Sequence, residues 1–141
     1  MDNVDSKSMY LSIPPIKAID GEYGDHSSFF GFKQIGFHSG KSFGEWWKVY
    51  FKERVAIVKV HFYNRQDCCS ERSNNLSINA LTTTNGLTTE KLCANTGIME
   101  NVPDKMFYCE TLGTLADELK VMNQIDMHLV ILEVLVYGWD L

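Results

Sequence analysis

The side chains best suited to chemistry are crowded into residues 64–72, where Arg65, Asp67 and Arg72 flank two adjacent cysteines. Arginine offers a rigid fork of hydrogen-bond donors that can engage neighbouring oxygens together. On their own, these arginines would be ordinary surface charges that gain under about 1 kcal/mol from a nearby carboxylate. Because the stretch follows a predicted strand, residues 55–63, it forms a candidate binding loop.

The adjacent cysteines, Cys68 and Cys69, admit three states. Bonded to each other, they close a strained, stiff and apolar ring. Spacing alone favours a second state, in which each pairs elsewhere, for instance with Cys93 or Cys109. A zinc site would require Cys-x-x-Cys or histidine spacing that this sequence lacks.

A longer pattern joins this loop to the rest of the chain. His38 precedes Arg65-Gln66-Asp67, and Arg72 follows the cysteines after a fixed interval. Three further stretches accompany it: Ala18-Ile19-Asp20-Gly21, Trp46-Trp47-Lys48-Val49 and Glu133-Val134-Leu135-Val136-Tyr137-Gly138. In these motifs the chain resembles the F-type lectins, or fucolectins, from about residue 18 to residue 138.

The resemblance implies an all-β fold, an eight-stranded jelly-roll β-sandwich of the discoidin-like type. It places a lead-in at residues 1–17 and the lectin domain at 18–141. It also implies that Cys68 pairs with Cys69, and Cys93 with Cys109. The implied function is recognition of terminal α-L-fucose on glycans, without catalysis.

The resemblance also assigns roles within the binding site. It implies that His38, Arg65 and Arg72 donate hydrogen bonds to fucose hydroxyls and to the ring oxygen, and that Asp67 holds the arginines. The Cys68–Cys69 bridge would lie against the sugar ring. The residues expected to enclose the fucose methyl group are Phe32 and its neighbours Phe29 and Phe30.

Structural calcium is a further expectation from the resemblance. The oxygen ligands would come from Glu22, Asp25, Ser27 and Glu133, which are hard donors of the kind calcium prefers. The family's usual further disulfide is absent, because Gly36 and Leu132 stand where its two cysteines would be.

The elements that must position these residues are mainly strands. Residues 46–51 alternate, with Trp47, Val49 and Phe51 on one face, and residues 55–63 are β-branched and aromatic. Residues 75–81 form another candidate strand, and the apolar stretch 127–137 predicts one central strand. Residues 113–122 are ambiguous, because their leucines also fit helical spacing. Short strands punctuated by turns favour a sandwich.

Composition excludes several classes of partner. The 141 residues carry a formal net charge of −5, which disfavours nucleic acid and anionic membranes. The longest apolar run, residues 129–132, is far too short to insert into a membrane. We therefore expect fucosylated glycans as partners and an extracellular location, although no signal peptide is visible in this chain. Weak single-site binding would gain avidity from homo-oligomerisation or surface presentation.

Two other functions stay open at this point. One is a discoidin-like adhesion or lipid-binding module with a decayed sugar site, in which Phe29, Phe30 and Phe32 would be membrane spikes. The other is an enzyme with Cys68 or Cys69 as nucleophile and a histidine, His38 or His61, as base, which requires a free thiol.

Overall fold

Strands dominate the molecule. The structure, a computed structural model, describes residues 3–11, 13–21 and 36–141. Within these ranges lie nine strands: β1 (Asn3–Ser6), β2 (Phe37–Phe43), β3 (Trp46–Tyr63), β4 (Ser77–Thr84), β5 (Leu87–Asn95), β6 (Asp104–Tyr108), β7 (Thr114–Met122), β8 (Asp126–Ile131) and β9 (Glu133–Asp140). Two short 3-10 helices, Pro15–Ala18 and Ser70–Ser73, complete the described elements. The all-β class predicted from the sequence is confirmed.

The long strand β3 connects the two halves of the sandwich. It pairs antiparallel with β1 over residues 47–50 and with β7 between residues 46 and 57, and with β9 between residues 55 and 63 and β6 over residues 59–63. Strands β4 and β5 extend the sheet beyond β7, while β2 and β8 form a separate pair. The predicted strands 46–51 and 55–63 are therefore one strand, with a register shift against β7 between Tyr50 and Val55.

The core lies between the sheets and draws on almost every strand. Trp47 and Val49 of β3 are buried as the alternation predicts. A register shift between Ile57 and Lys59 then changes which residues face inward, so that Ile57 and Val60 are both buried. Strands β2, β4, β7, β8 and β9 contribute further large core side chains, which include Phe37, Ile78, Leu119, Val121, Leu129, Ile131 and Val134.

Two sequence expectations needed the structure to resolve them. The ambiguous stretch 113–122 contains strand β7, in which Ala116 is buried and, after a register shift against β3, so are Leu119 and Val121. The prediction of one central strand over residues 127–137 is wrong, because the chain changes partner at Leu132: β8 pairs with β2, and β9 with β3. Both faces of the stretch are apolar because Leu129 and Ile131 join the main core, whereas Val130 and Leu132 form a separate small cluster.

The described part of the predicted lead-in, residues 3–11 and 13–17, packs on the sandwich. Strand β1 pairs with β3, and the backbone carbonyl of Pro15 accepts a 2.9 Å hydrogen bond from the Trp47 indole. Among the residues that the structure describes, no helix has the length and apolar character needed to cross a membrane.

Candidate functional site

The loop after β3 is built around one buried amide. Asn64 directly follows the strand, and its side chain is buried. Its Nδ2 donates to the carbonyl oxygens of Ser70, Met99 and Val102, and its Oδ1 accepts from the Arg65 amide and the Ser73 hydroxyl. These bonds tie both ends of the 64–73 loop to one point, so that the loop conformation is fixed by the protein itself.

Arg65 is held by a carboxylate two residues away. Its Nε donates to Asp67 Oδ1 at 2.6 Å, and its Nη2 donates to Oδ2 at 3.2 Å. This bidentate arrangement fixes the plane of the guanidinium. Arg65 is only 5% exposed, so its charge is largely removed from water and is balanced by Asp67.

The adjacent cysteines form a disulfide with each other, and Cys93 is bonded to Cys109. The pairing implied by the resemblance is therefore confirmed, and the alternative pairing favoured by spacing is wrong. Cys69 adopts a left-handed backbone with φ 61°, after which the 3-10 helix Ser70–Ser73 begins. This turn reverses the chain and brings Arg72 back toward β2.

Arg72 meets a histidine from a distant part of the sequence. Its Nη1 lies 3.4 Å from Nε2 of His38, which lies on β2. The structure therefore brings together His38, Arg65 and Arg72, as the sequence predicts. Asp67 pairs with Arg65, whereas the described contact of Arg72 is with His38.

A bulge in β2 orients His38. The register with β8 shifts between His38 and Lys41, and the carbonyl of Ser39 in this bulge accepts from His38 Nδ1 at 2.7 Å. The same carbonyl also contacts His128 Nδ1 at 3.0 Å. The Ser39 hydroxyl oxygen accepts from the Leu129 amide at 2.7 Å, which locks the bulge to β8.

The environment of His38 favours the neutral ring. His38 is 3% exposed, and its pKa is lowered from 6.5 to about 4, chiefly because this burial disfavours the charged ring. The nearby His128, Arg65 and Arg72 contribute to this lowering, while the bond to Ser39 partly opposes it. With its proton on Nδ1, the neutral ring presents Nε2 as a hydrogen-bond acceptor. The donor role expected for His38 therefore changes to an acceptor role.

The resulting site combines complementary polar groups with an apolar surface. Two guanidinium groups donate and one imidazole nitrogen accepts, which suits a ligand whose hydroxyl groups do both. Cys68, which lies in the same 64–73 loop as the two arginines, is exposed and adds the stiff, apolar surface of the disulfide. Because the charged donors are partly desolvated, each hydrogen bond to a neutral ligand gains strength.

The disulfides also bear on the two hypotheses that need a free cysteine, the cysteine nucleophile and the zinc site. All four cysteines are in disulfides, so neither Cys68 nor Cys69 carries the free thiolate that nucleophilic attack requires. His61 instead pairs with Asp104 at 2.8 Å, on the β3–β6 ladder.

The calcium expectation falls largely outside the described residues. Glu22, Asp25 and Ser27 lie there, as do the predicted methyl-enclosing residues Phe29, Phe30 and Phe32. Glu133 is described: it is buried, and its Oε1 accepts from the Gly21 amide at 3.1 Å. Among the described residues, no group of three or more His, Cys, Asp or Glu side chains could hold a metal ion. Glu133 is therefore the one predicted calcium ligand that lies within the described residues, and its carboxylate is a hard oxygen donor.

Sequence reasoning missed four contributors to the site. The role of Asn64 could have been predicted from the sequence, since an asparagine where a buried strand ends is typical of a structured turn. The bulge at Ser39 and the position of His128 had no such signal, because β-bulges depend on strand register. Tyr10 was also missed, although its ring lies 4.8 Å from that of His38 between centroids.

Three solved structures share this fold at low sequence identity. An F-lectin (fucolectin) from striped bass serum, Morone saxatilis, aligns with TM-score 0.84 and 22% identity over 98% of this chain and 47% of that protein. The chain therefore spans about half the length of the striped bass lectin. A Streptococcus pneumoniae fucose binding module, SpX-3, aligns with TM-score 0.76 and 16% identity, over 99% of this chain and 96% of that one.

The third structure is a family 32 carbohydrate-binding module of NanJ from Clostridium perfringens, in complex with galactose. It aligns with TM-score 0.73 and 18% identity over 97% of this chain and 93% of that one. These likenesses confirm the discoidin-like β-sandwich fold, and they agree with the resemblance to F-type lectins.

Sequence comparison supplies the family. No curated protein matches the chain. The sequence model of the F5/F8 type C, NedA-like galactose-binding domain matches residues 17–111. Because this match covers more than half of the sequence, the chain belongs to the NedA-like galactose-binding domain family.

Proposed function

We propose that the chain is a non-catalytic lectin domain that binds terminal α-L-fucose on glycans through His38, Arg65 and Arg72. The observation that carries this proposal is the 3.4 Å contact between Arg72 Nη1 and His38 Nε2. It joins β2 to the loop that holds Arg65 and the vicinal disulfide, so that all the polar groups of the sequence pattern share one site.

The charges of the site suit a neutral ligand. Asp67 balances Arg65 through two hydrogen bonds, and His38 is uncharged at neutral pH because its pKa is about 4. An anionic ligand would have to compete with the Asp67 carboxylate for the same guanidinium. A sugar hydroxyl can instead accept from an arginine and donate to His38 Nε2 at once.

The vicinal disulfide favours fucose over galactose. L-Fucose carries a methyl group, whereas D-galactose carries a polar hydroxymethyl group and belongs to the opposite enantiomeric series. An apolar surface beside the polar groups stabilises the methyl. Exposed Cys68 offers such a surface. D-Galactose is the second candidate, because the matching family model is described as a galactose-binding domain. The structural neighbours include both a fucose-binding and a galactose-bound module, so the fold alone does not choose the sugar.

Titration calorimetry with methyl α-L-fucoside and, separately, D-galactose tests the proposal. We expect binding of the fucoside in preference to galactose. Arg72→Ala should weaken fucoside binding about ten- to hundredfold, because it removes charged donors from a partly desolvated site. Arg72→Lys should recover part of the loss, because lysine restores a charged donor at this position. Recovery should be incomplete, because a single ammonium does not replace the fork of donors.

Arg54→Ala provides a matched control. Arg54 also forms a bidentate ion pair, in this case with Asp117, but it lies in the middle of β3, away from the 64–73 loop. Its removal should leave fucoside affinity unchanged within about twofold. No heat with fucoside at millimolar concentration, or an equal loss in the Arg54 and Arg72 variants, would contradict the proposal.

Binding of one sugar at one site is expected to be weak, so the protein would need several sites to hold a glycan. A monosaccharide buries few atoms, and each hydroxyl gives up water on binding, so its affinity should be low. We propose that fucosylated glycans are bound with useful avidity through several copies, by homo-oligomerisation or by presentation on a surface. The two disulfides support an extracellular, oxidising location.

We also propose that calcium orders the loop that follows Gly21. Glu133 is buried at the base of this loop and accepts a hydrogen bond from the Gly21 amide. Glu133 would provide one carboxylate ligand, and Glu22, Asp25 and Ser27 the other side-chain oxygens. Bound calcium would supply a positive charge that neutralises these acids, with no direct role in sugar recognition.

A further inference from the structure

The turn between the 3-10 helix Ser70–Ser73 and β4 contains an acceptor pattern for N-linked glycans. Residues 75–77 read Asn75-Leu76-Ser77, an Asn-x-Ser triplet in which x is not proline. The pattern occurs once in the 141 residues, because no other asparagine is followed two positions later by serine or threonine. The sequence therefore contains one candidate site for this modification.

Asn75 lies on the surface, and its side-chain amide is available. The side chain is exposed, and it makes no hydrogen bond to any residue that the structure describes. The adjacent Asn74 differs, because its Oδ1 accepts from the Met99 amide at 2.6 Å and from the Glu100 amide at 3.0 Å. The Asn74 side chain thus ties the turn to the loop before β6, whereas the Asn75 side chain is not needed for any such contact.

The backbone of the turn directs the Asn75 side chain away from the protein. Asn75 has φ +55°, in the left-handed region that asparagine tolerates. Its backbone amide donates to the Gly97 carbonyl at 2.7 Å, and the next side chain, that of Leu76, is fully buried. With the backbone anchored and the following residue in the core, a bulky group on Asn75 would extend into solvent and leave the packing of β4 unchanged.

We propose that Asn75 carries an N-linked glycan, which is added before β4 packs into the sandwich. In this reaction the Nδ2 of Asn75 attacks the anomeric carbon of a polyprenyl-diphosphate-linked oligosaccharide. A C–N bond forms, the C–O bond to the diphosphate breaks, the diphosphate leaves with the bonding electron pair, and Nδ2 gives up one proton.

The serine of the triplet sets the timing of this reaction. The transferase must reach the hydroxyl that completes the pattern, but Ser77 is only 7% exposed in the folded chain, and its hydroxyl oxygen accepts from Gln124 Nε2 at 3.1 Å. Transfer therefore precedes folding of this region. The inference rests on the proposed extracellular location, because a chain meets this oligosaccharide donor on the secretory route.

Secretion of the full chain from cultured insect cells, behind a secretion signal, tests the proposal. We expect a glycoprotein whose mass falls on treatment with peptide N-glycosidase, which leaves an aspartate at this position. Asn75→Gln and Ser77→Ala should each be secreted without the glycan, whereas Ser77→Thr should keep it, because either hydroxyl completes the pattern. Asn75→Gly should also lack the glycan, and glycine suits the left-handed backbone, which protects the fold.

Asn85→Gln is the matched control, because Asn85 is also exposed with φ +54° but lies outside the triplet. It should keep the glycan. Wild-type chain secreted with both disulfides but without a glycan would overturn the inference, as would a glycosidase-sensitive glycan that persists in Asn75→Gln. Secretion without the disulfides would contradict the extracellular location and this inference with it. The mass is measured without any sugar ligand, so failure here is distinguishable from failure of fucoside binding.

Discussion

Acidification should weaken the fold through His38. Burial holds the pKa of this imidazole near 4, whereas an unfolded histidine titrates near 6.5. Between these values the unfolded state binds more protons than the folded state. The stability that His38 contributes is therefore fully present above pH 6.5, and it is lost as pH falls toward 4.

The size of the effect follows from the two pKa values. Lowering the pH from 7 to 5 should remove about 2 kcal/mol of the free energy of unfolding through this one group, and reaching pH 4 about 3 kcal/mol. The groups that surround the ring resist its protonation. His128 comes from β8, and Arg65 and Arg72 from the 64–73 loop, so an added charge on His38 would meet two guanidinium groups.

Urea unfolding of the wild type and of His38→Asn, measured between pH 7 and pH 5, isolates this contribution. The asparagine amide can still donate to the Ser39 carbonyl but does not titrate. Because all other titrating groups are common to both proteins, the difference between their unfolding free energies should shrink by about 2 kcal/mol as pH falls. A constant difference, or an NMR titration that places His38 near 6.5, would refute the reasoning.

Three further predictions concern stability. Gly138→Ala should cost roughly 1–3 kcal/mol in urea unfolding, because a Cβ there would collide with the Ala56 carbonyl across the β3–β9 ladder. Replacing Cys93 and Cys109 by alanine should lower the free energy of unfolding by about 3 kcal/mol, since the bridge joins residues 16 apart in sequence. Removing the vicinal bridge should cost far less in stability than in fucoside affinity. EDTA should lower the melting temperature and calcium should restore it, because a ligand held only by the native state stabilises that state; an unchanged melting temperature would count against the calcium site.

The sequence pattern placed His38 and Arg72 in one candidate site, and their side chains lie 3.4 Å apart, whereas the strand bounds were predicted less well. Strand β3 was divided in two because the polar run Lys52-Glu53-Arg54 interrupts the alternation, although the strand continues through these residues, with a register shift against β7 between Tyr50 and Val55. Hydrophobic periodicity identifies a strand only where one face of that strand is buried. An exposed stretch of strand shows no such pattern.

The roles of the side chains within the site depend on contacts between strands, which the sequence pattern does not show. The acceptor role of His38 follows from the Ser39 carbonyl, which a bulge turns toward the imidazole. The position of Tyr10 follows from the pairing of β1 with β3 and from the close approach of Ser8 to Gly40. Each of these features arises from register between strands, which no local propensity encodes.

The strand pairings of β3 also bear on how fast the domain can form. Strands β1, β6, β7 and β9 all pair with this one 18-residue strand. Its Val55 pairs with Asp140, so this ladder joins residues that are far apart in the sequence. Contacts so distant in sequence slow the search for the native state. Once formed, the ladders hold β3 from several sides, so the amide protons of its buried, paired residues, such as Val60, should exchange with solvent only through global unfolding.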